Sequence, residues 1–336
     1  MADFAYSMLQ PSQDKRLCVL AEPRHREIGH EVPVKKPRIL VIKHGALGDL
    51  VQGFDAFAGL RAGRPDAHIT LLTSPAFTGL SRRAPWFDEV LADPRAPVVN
   101  LPQLLRVRRL LQAEWEMIID LQCSRRTARY HRFLASSSTR WFGTARGASD
   151  PYPDFIGVNN ADRMRVAIGM AGGDSDMVAS LDWLSDAADS GVADHPVVLV
   201  PGCSPAKPGK RWPASSYAAL ANSFIDEGRQ VVIVGTAADR DAVEALLRDA
   251  PACIDMVGRT SLDSLAALFG RAHAVVGNDT GPVFLAARTG VPTLMVMGGD
   301  TDPTMSAPVG ARAGFIRQDN VADVTPRQTM DALSAL

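Results

Sequence analysis

The stretch from Ala274 to Pro303 reads AVVGNDTGPVFLAARTGVPTLMVMGGDTDP, and it sets the architecture expected for the whole chain. A short apolar strand runs into the loop NDTGP (278–282), a helix follows and ends at Gly290, and a second apolar strand opens onto a loop rich in glycine and aspartate. Pro282 suits a first helical turn, and Gly281 leaves room for a ligand to approach the backbone. Free N–H groups and the helix dipole favour a phosphate there. An ordinary capped turn without a ligand is the alternative, because Asp and Thr are common caps.

The same order of strand, glycine loop and helix recurs along the chain. RILVIK (38–43) is a continuous apolar run typical of a buried parallel strand, and it enters HGALGD (44–49) and a helix. VVLV (197–200) restarts the pattern before PGCS (201–204). Alternating strands and helices predict an α/β fold with parallel, doubly wound sheets in two halves. Ligands of such sheets bind beyond the carboxyl ends of the strands, so two facing halves leave a cleft.

Length and composition agree with two domains and exclude several classes of protein. At 336 residues the chain exceeds what one core usually organises, and we expect an N-terminal extension (1–37) followed by domains at 38–175 and 176–336. With 46% apolar residues, 22% charged residues and a net charge of -1, it is not expected to bind nucleic acid. Four scattered cysteines argue against a zinc site. The absence of a signal-peptide or membrane-spanning apolar run predicts a cytoplasmic protein.

Other nucleotide-binding motifs do not fit. A dinucleotide fold needs GxGxxG directly after a strand, and the first loop offers only Gly45 and Gly48; neither half contains GxxxxGK[ST]. The triplet DTD (300–302) resembles a metal-binding DxD, but two acids in a glycine loop are common.

Residues 101–150 contain nine arginines, no lysine and four acids. Arg125, Arg129 and Arg132 fall at i, i+4 and i+7, so they share a helix face. A solvated basic face and an anion-binding wall of the cleft are both open interpretations.

Five motifs in register resemble glycosyltransferase family 9, the ADP-heptose:lipopolysaccharide heptosyltransferases, from residue 38 to the C-terminus. They are KHGALGD (43–49), DLQ (120–122), PGCS (201–204) with KRWP (210–213), GRTSL (258–262), and NDTGP (278–282) with GDTDP (299–303). The resemblance implies a GT-B fold of two Rossmann-like domains, with an ADP-sugar site mostly in the second half and the acceptor mostly in the first. It also implies an inverting, metal-independent transfer of a heptose or related sugar that needs no cofactor.

Two residues take the catalytic roles on this interpretation. Asp49 lies where a glycine loop meets a helix N-terminus, so it is placed to remove the proton of the acceptor hydroxyl; a plain helix cap is the competing interpretation. Lys210 and the N–H groups around Thr280 and Gly281 compensate the negative charge of the leaving diphosphate.

The remaining donor residues follow from the motifs. Ser204 can donate to a phosphate oxygen, and Thr260 falls where the family contacts adenine through its backbone. Asp239 stands where the family carries a Glu that binds the ribose hydroxyls. Asp279 is expected to hold its loop or bind sugar hydroxyls, because two anions in contact would repel.

The acceptor implied by the resemblance is the anionic inner core of lipopolysaccharide. The predicted acceptor-binding residues are Lys43, Gln122, Arg125 and Arg129, and the basic face is expected to help the protein to sit peripherally at the inner face of the membrane. An O-antigen, a capsule or a protein glycan fits equally well. Two positions depart from the family: Phe284 stands where it usually has His, and NNADR (159–163) replaces His-x-x-Glu-Arg.

Two other kinds of function stay open. A sugar-nucleotide-binding protein without transferase activity would bind an ADP-sugar but never turn it over. A GT-B-like epimerase would release free sugar or an isomer without any acceptor.

Overall fold

The computed structural model describes residues 36–97, 100–184, 192, 195–204 and 207–336. The predicted N-terminal extension, residues 1–37, lies outside these ranges except for Lys36 and Pro37. Within the described residues the chain forms two parallel sheets of six strands each. The predicted pair of parallel α/β sheets is confirmed.

The first sheet contains β1 (Arg38–Ile42), β2 (His68–Thr73), β3 (Glu89–Ala92), β4 (Met117–Asp120), β5 (Arg140–Gly143) and β6 (Asp150–Pro151). The second contains β7 (Val197–Val200), β8 (Val231–Ile233), β9 (Ile254–Asp255), β10 (Ala274–Asn278), β11 (Thr293–Met297) and β12 (Ala313–Arg317). The strand orders are β3-β2-β1-β4-β5-β6 and β9-β8-β7-β10-β11-β12. Both are the order of a classical dinucleotide-binding sheet, in which the direction of winding reverses beside the first strand.

The helices of the first half are α1 (Leu47–Gln52), α2 (Phe54–Gly63), α3 (Thr78–Arg83), α4 (Leu101–Leu111), α5 (Arg125–Phe133) and α6 (Asn160–Met170). Those of the second half are α7 (Ala214–Asp226), α8 (Arg240–Asp249), α9 (Leu262–Gly270), α10 (Gly281–Arg288), α11 (Pro303–Ser306) and α12 (Pro326–Ser334). The boundary predicted between residues 175 and 176 falls between α6 and β7 and stays a prediction.

The central strands are buried on both faces, which explains their continuous apolar sequences. Every residue of β7 and β10 is buried, and β1 is buried after Arg38. One apolar cluster fills the space between the two sheets and includes Leu50 of α1 and Leu285 of α10. Two further clusters lie under α4 and α5 in the first half, and under α7, α8 and α12 in the second. The two halves therefore share a core through α1 and α10.

The helix expected after the first glycine loop is two helices. Its apolar positions predict one element from Leu50 to Leu60, but α1 ends at Gln52 and α2 begins at Phe54. Gly53 lies at the break, where a Cβ atom would come within 2.8 Å of the Phe57 ring. Close packing of the ring against the backbone accounts for the glycine.

No helix in the described part of the chain is both long enough and apolar enough to cross a membrane.

Candidate functional site

Four of the sequence motifs follow the four strands that flank the two switch points. KHGALGD begins directly after β1, DLQ starts on the last residue of β4, PGCS follows β7, and NDTGP starts on the last residue of β10. Carboxyl ends of neighbouring parallel strands meet at one edge of a sheet. These motifs therefore converge where α1 and α10 meet.

The N-terminal turns of α1 and α10 approach each other closely because each contains a glycine. A Cβ atom on Gly281 would lie 2.7 Å from Leu47 Cβ, and one on Gly48 would lie 2.8 Å from the Phe284 ring. The sequence assigns the space at Gly281 to a ligand. In the structure Leu47 and Gly48 of the first half occupy that space, so the contact between the two halves explains this glycine.

A cavity of about 1080 Å³ opens on one side of α1, and we call it the acceptor-side cavity. Lys43, Asp49 and Gln122 line it, so the structure brings three predicted residues together. Met305 and Ser306 of the second half close its far wall. The cavity thus lies between the halves and is large enough for a sugar acceptor.

Asp49 is half-buried and lies in the first turn of α1. Its Oδ1 accepts a hydrogen bond of 3.2 Å from Asn160 Nδ2, and the same amide nitrogen donates to Gln52 Oε1 at 2.7 Å. Among the described residues, the hydrogen-bond donor to this carboxylate is a neutral amide on α6. The Asn160 amide orients Asp49 without adding a positive charge.

Lys43 is buried at the base of the acceptor-side cavity, and its Nζ donates to the Leu121 carbonyl at 3.1 Å. Burial lowers the pKa of Lys43, an effect that the negative charge of Asp49 partly opposes. Gln122 accepts a hydrogen bond of 2.8 Å from the His44 backbone N–H. Both residues therefore tie the end of β4 to the loop that precedes Asp49.

Arg163 and Tyr152 also line the acceptor-side cavity, and sequence reasoning did not assign them a role. Arg163 Nε and Tyr152 Oη are buried atoms with no hydrogen-bond partner among the described residues. Buried donors without partners are rare in folded proteins and suit a polar ligand. The available signal was the segment 159–163, which the family resemblance relates to the hinge or the acceptor and in which Arg163 keeps the Arg of the pattern.

Arg125 and Arg129 are exposed on α5 and do not line the acceptor-side cavity among its described walls. They line a different groove, between α4 and α5, together with Arg126. The predicted acceptor set is therefore split between two places.

A second cavity of about 510 Å³ lies on the other side of α1, and we call it the donor-side cavity. Four predicted donor residues line it: Ser204, Asp239, Thr260 and Thr280. Leu47 and Phe77 supply its wall from the first half. Thr280 is the N-cap of α10 and makes no side-chain capping bond, so this helix start faces the cavity without an internal cap.

Asp239 is turned into the protein. Its Oδ2 accepts hydrogen bonds from Thr236 N at 2.9 Å and from Thr236 Oγ1 at 2.8 Å, and its Oδ1 lies 3.6 Å from Arg211. Only 6% of the residue is exposed. The carboxylate therefore stabilises its own loop, which the sequence does not predict.

Lys210 and Asp279 form an ion pair, and Thr301 Oγ1 donates to the same Asp279 oxygen at 2.6 Å. Neither residue is among those lining the donor-side cavity, although Asp279 directly precedes Thr280. Asn278 is fully buried, and its Nδ2 donates hydrogen bonds to the Pro201 and Gly202 carbonyls at 2.7 and 3.3 Å. These bonds fix the loop after β10 against the loop after β7.

Among the residues that the structure describes, no group of three or more His, Cys, Asp or Glu side chains is arranged to hold a metal ion. The described cysteines, Cys123, Cys203 and Cys253, are free thiols.

Residues 104–332 match the sequence profile of glycosyltransferase family 9 (heptosyltransferase), which is more than half of the chain. The chain belongs to glycosyltransferase family 9. The predicted family is confirmed. KHGALGD, DLQ, PGCS, GRTSL and NDTGP each contribute residues to the two cavities, whereas KRWP and GDTDP are not among the described lining residues.

Similar members of the family are heptosyltransferases. The chain is 33% identical to lipopolysaccharide heptosyltransferase 2 of Escherichia coli (strain K12) over 151 residues, which cover 38% of this chain and 43% of that protein. The chain thus matches less than half the length of that curated relative. The E. coli ADP-heptose lps heptosyltransferase II structure aligns with 89% of this chain and 98% of its own, with a TM-score of 0.70 and 23% identity. The E. coli heptosyltransferase WaaC with ADP gives 0.75 at 18% identity, over 89% and 99%. The two-domain GT-B fold predicted from the sequence is confirmed.

Phe284, where the family resemblance predicts a His, is 7% exposed and packs on Gly48. It lines a small cavity with Gln52 and Arg288, and is not among the residues lining the donor-side cavity. In this family member the position therefore serves the contact between α1 and α10.

Proposed function

We propose that this family 9 member transfers a heptose or a related sugar from an ADP-sugar to a hydroxyl of a lipopolysaccharide-type acceptor. One observation carries the proposal: the first turn of α1 contributes Leu47 to the donor-side cavity and Asp49 to the acceptor-side cavity. Two substrates bound on either side of α1 meet at this turn. An acid at their junction suits a transfer reaction better than storage of a nucleotide.

The donor occupies the cavity of the second half. Its diphosphate lies at the α10 N-terminus, where the N–H groups around Gly281 and the helix dipole offset negative charge. Lys210, held beside this turn by Asp279, adds a positive charge. The related structure with ADP supports an adenine nucleotide as the donor's leaving part. We place adenine near Thr260 and a phosphate near Ser204, both of which line the cavity.

The transfer breaks one bond and forms another at the anomeric carbon. Asp49 accepts the proton of the acceptor hydroxyl as its oxygen bonds to that carbon. The bond to the diphosphate breaks, and ADP leaves with the bonding electrons. Because base and leaving group lie on opposite sides of α1, attack comes from the face opposite ADP, and the configuration inverts.

The leaving charge is compensated by the protein itself. On this proposal the α10 N–H groups face the place where negative charge develops on the diphosphate, and Lys210 lies beside them, paired with Asp279. Preorganised dipoles of this kind stabilise a transition state strongly. We therefore propose that the transfer needs no metal ion and no cofactor.

The acceptor is anionic. Lys43, Gln122 and the two residues found only in the structure, Tyr152 and Arg163, line the cavity that receives it. Arg163 supplies a planar set of donors that suits a carboxylate or a phosphate. An acceptor of this kind is attached to a membrane lipid, so the protein works peripherally at the inner face of the membrane.

A two-step experiment tests this function. ADP-sugars, UDP-sugars and GDP-sugars are first compared for the rise in melting temperature that they cause, because a ligand of the folded state stabilises it. The best donor is then incubated with a lipid-free, anionic core oligosaccharide, with and without EDTA. We expect an ADP-sugar to give the largest rise, a product with inverted anomeric configuration by NMR, and equal rates with EDTA.

The outcomes separate the alternatives. Stabilisation by an ADP-sugar without product from any acceptor would mean a binding protein. Free sugar or an isomer formed without acceptor would mean an epimerase. Loss of the rate with EDTA, restored by a divalent cation, would overturn metal independence alone.

A further inference from the structure

A groove between α4 and α5 lies apart from the two substrate cavities and has a volume of about 610 Å³. We call it the α4–α5 groove. Leu104, Val107, Tyr130 and Leu134 form its apolar floor, and Phe133 stands at its edge with 65% of its surface exposed. Ligand sites in proteins typically enclose about 300 to 1000 Å³, so the groove is large enough for a ligand.

The two helices beside the groove carry only positive charge. α4 and α5 contain seven arginines and no acid: Arg106, Arg108, Arg109, Arg125, Arg126, Arg129 and Arg132. Arg125, Arg126 and Arg129 line the groove itself. Within the described part of the chain, no carboxylate forms an ion pair with any of the seven. The groove therefore offers positive charges that the protein leaves uncompensated.

One carboxylate also lines the groove, but it is buried and hydrogen-bonded within the protein. Asp93 is 1% exposed, and its Oδ2 accepts a hydrogen bond of 2.7 Å from Tyr130 and lies 3.0 Å from His44 Nε2. The Arg95 backbone N–H donates to its Oδ1 at 2.8 Å. These three neighbours hold the Asp93 carboxylate in its buried position.

Apolar side chains extend the groove onto the surface. Of nine large apolar side chains exposed in the described residues, three belong to these two helices: Leu101 at 58%, Leu105 at 41% and Phe133 at 65%. Arginines next to exposed leucine and phenylalanine are typical of surfaces that lie in the headgroup region of a bilayer.

We propose that the α4–α5 groove is a lipid site that takes one acyl chain of an anionic bilayer phospholipid, with the lipid phosphate on Arg125 and Arg129. Charge complementarity selects an anionic headgroup, and the apolar floor selects a chain. The proposal rests on the peripheral membrane contact in the proposed function and assigns it to one surface. It also gives Arg125 and Arg129 a bilayer ligand instead of the acceptor sugar.

The headgroup half is tested by flotation with vesicles of phosphatidylcholine, with or without phosphatidylglycerol. We expect binding only to vesicles with phosphatidylglycerol. The double variant Arg125→Ala/Arg129→Ala should bind them about thirtyfold more weakly, because each arginine at a membrane surface contributes about fivefold. Arg248→Ala/Arg327→Ala, on α8 and α12, removes the same charge from exposed positions and should keep wild-type binding. Equal losses in the two double variants would overturn the site.

The acyl half is tested with soluble dihexanoyl phosphatidylglycerol and with its deacylated headgroup. Each buried methylene adds about fourfold to a binding constant, so the lipid should bind and the headgroup alone should not. Phe133→Ser should weaken lipid binding severalfold, while Phe315→Ser, an exposed phenylalanine on β12, should not. Equal binding of lipid and headgroup, or equal effects of the two serine variants, would rule out a chain in the groove.

Other occupants give other results. Binding of a lipid-linked acceptor but not of phosphatidylglycerol would assign the groove to the acceptor and overturn the proposal. A shift in oligomeric state for Phe133→Ser in size-exclusion chromatography would make the face an interface between copies. Phe133→Ser should keep the ADP-dependent rise in melting temperature and the transfer rate with a lipid-free acceptor. Failure of transfer in wild-type protein that still binds vesicles would count only against the proposed function.

Discussion

The starts of α1 and α10 resemble each other in sequence and differ in what their acids touch. Each follows a buried central strand, contains a glycine where the other helix approaches, and has an acid nearby, Asp49 or Asp279. Among the described residues, Asp49 accepts one hydrogen bond, from the neutral amide of Asn160. Asp279 is paired with the Lys210 ammonium and also accepts from Thr301. A carboxylate already held by an ion pair and a hydroxyl has fewer lone pairs open to a substrate proton, so the neighbours and not the residue type separate base from scaffold.

Exchanging each acid for its amide tests this difference directly. Asp49→Asn should lower the transfer rate by about a thousandfold, because general base catalysis contributes about 10² to 10⁴ in rate, while the ADP-dependent rise in melting temperature stays. Asp279→Asn should keep the transfer rate within about tenfold, since Asp279 is not the base that accepts the proton of the acceptor hydroxyl. Asp154→Asn, a carboxylate of the same acceptor-side cavity, is the matched control. Equal losses of rate in Asp49→Asn and Asp279→Asn would show that the two acids do not differ in catalytic role.

An ion cluster joins α2, α6 and the end of α10. Asp55 of α2 is 4% exposed and accepts from Arg288 at 2.5 Å, from Arg165 at 2.8 Å and from the Ala179 N–H at 2.9 Å. Asp55→Asn leaves two partly buried guanidinium groups without their carboxylate and should cost about 3 kcal/mol in the free energy of unfolding. Asp150→Asn breaks the exposed pair with Arg140 and should cost less than about 1 kcal/mol.

The effect of Asp55 has a defined pH dependence. Burial would raise the pKa of Asp55, but the Ala179 N–H and the two arginines outweigh it and hold that pKa below its usual 3.8. A depressed pKa contributes stability that is fully present above the unfolded value and is lost as pH falls through the folded one. Urea titrations of wild type and Asp55→Asn should therefore differ by a constant amount from neutral pH to about pH 5 and converge only under strong acid. A gap that closes near pH 6 would contradict this account.

Lys210 distinguishes α10 from α1, because among the described residues Asp49 forms no ion pair like that of Asp279 with Lys210. Lys210→Ala removes a charge from the diphosphate site and leaves Asp279 uncompensated beside it, so the dissociation constant for ADP should rise about a hundredfold in calorimetry. Lys207→Ala, an exposed lysine of the same loop, should change it less than about threefold. The double variant Lys210→Ala/Asp279→Ala should recover part of the loss. No recovery would mean that Lys210 acts on ADP alone.

The contact between Gly281 and Leu47 joins α10 to α1. A Cβ atom on Gly281 would lie 2.7 Å from Leu47 Cβ, so Gly281→Ala should cost about 2 kcal/mol in the free energy of unfolding. The variant should also bind both substrates more weakly, because their cavities meet at this contact. Gly79 in α3 has no atom within 4 Å of an added Cβ, so Gly79→Ala should be neutral or stabilising. If ADP binding alone suffers in Gly281→Ala, the glycine serves the ligand and not the contact between halves.

Sequence reasoning located the central strands and the loops that follow them, because long apolar runs followed by glycine loops report on burial and on strand ends. It missed β5, β6, β9 and β12, strands at or next to the sheet edges that are as short as two residues or partly exposed and so lack an apolar pattern. Local sequence carries little information where neighbouring strands supply the pairing.

The sequence predicts the site residues that follow neighbouring strands. It does not predict which of several possible partners a side chain contacts. Lys43, Asp49 and Gln122 meet because β1 and β4 are neighbours. Asp239 turns inward to Thr236, and Arg125 faces a groove with α4; both depend on contacts that spacing along one helix does not reveal. Arg163 comes from α6, more than 100 residues after Asp49, so only the folded chain joins them.

Phe284→His tests the smallest difference between this chain and the family pattern. The ring is 7% exposed against Gly48, and its cavity neighbours are Gln52 and Arg288. An imidazole there buries a polar group, and Arg288 opposes its protonation, so stability should fall by about 1 kcal/mol. Phe284→Leu, which stays apolar, is the control for lost volume. ADP affinity should hold within about twofold in both variants, since the donor-side cavity is lined by other residues. Tighter binding of an ADP-sugar by the His variant would show that α10 reaches its substrate through this position, and that its first turn is not the whole donor contact.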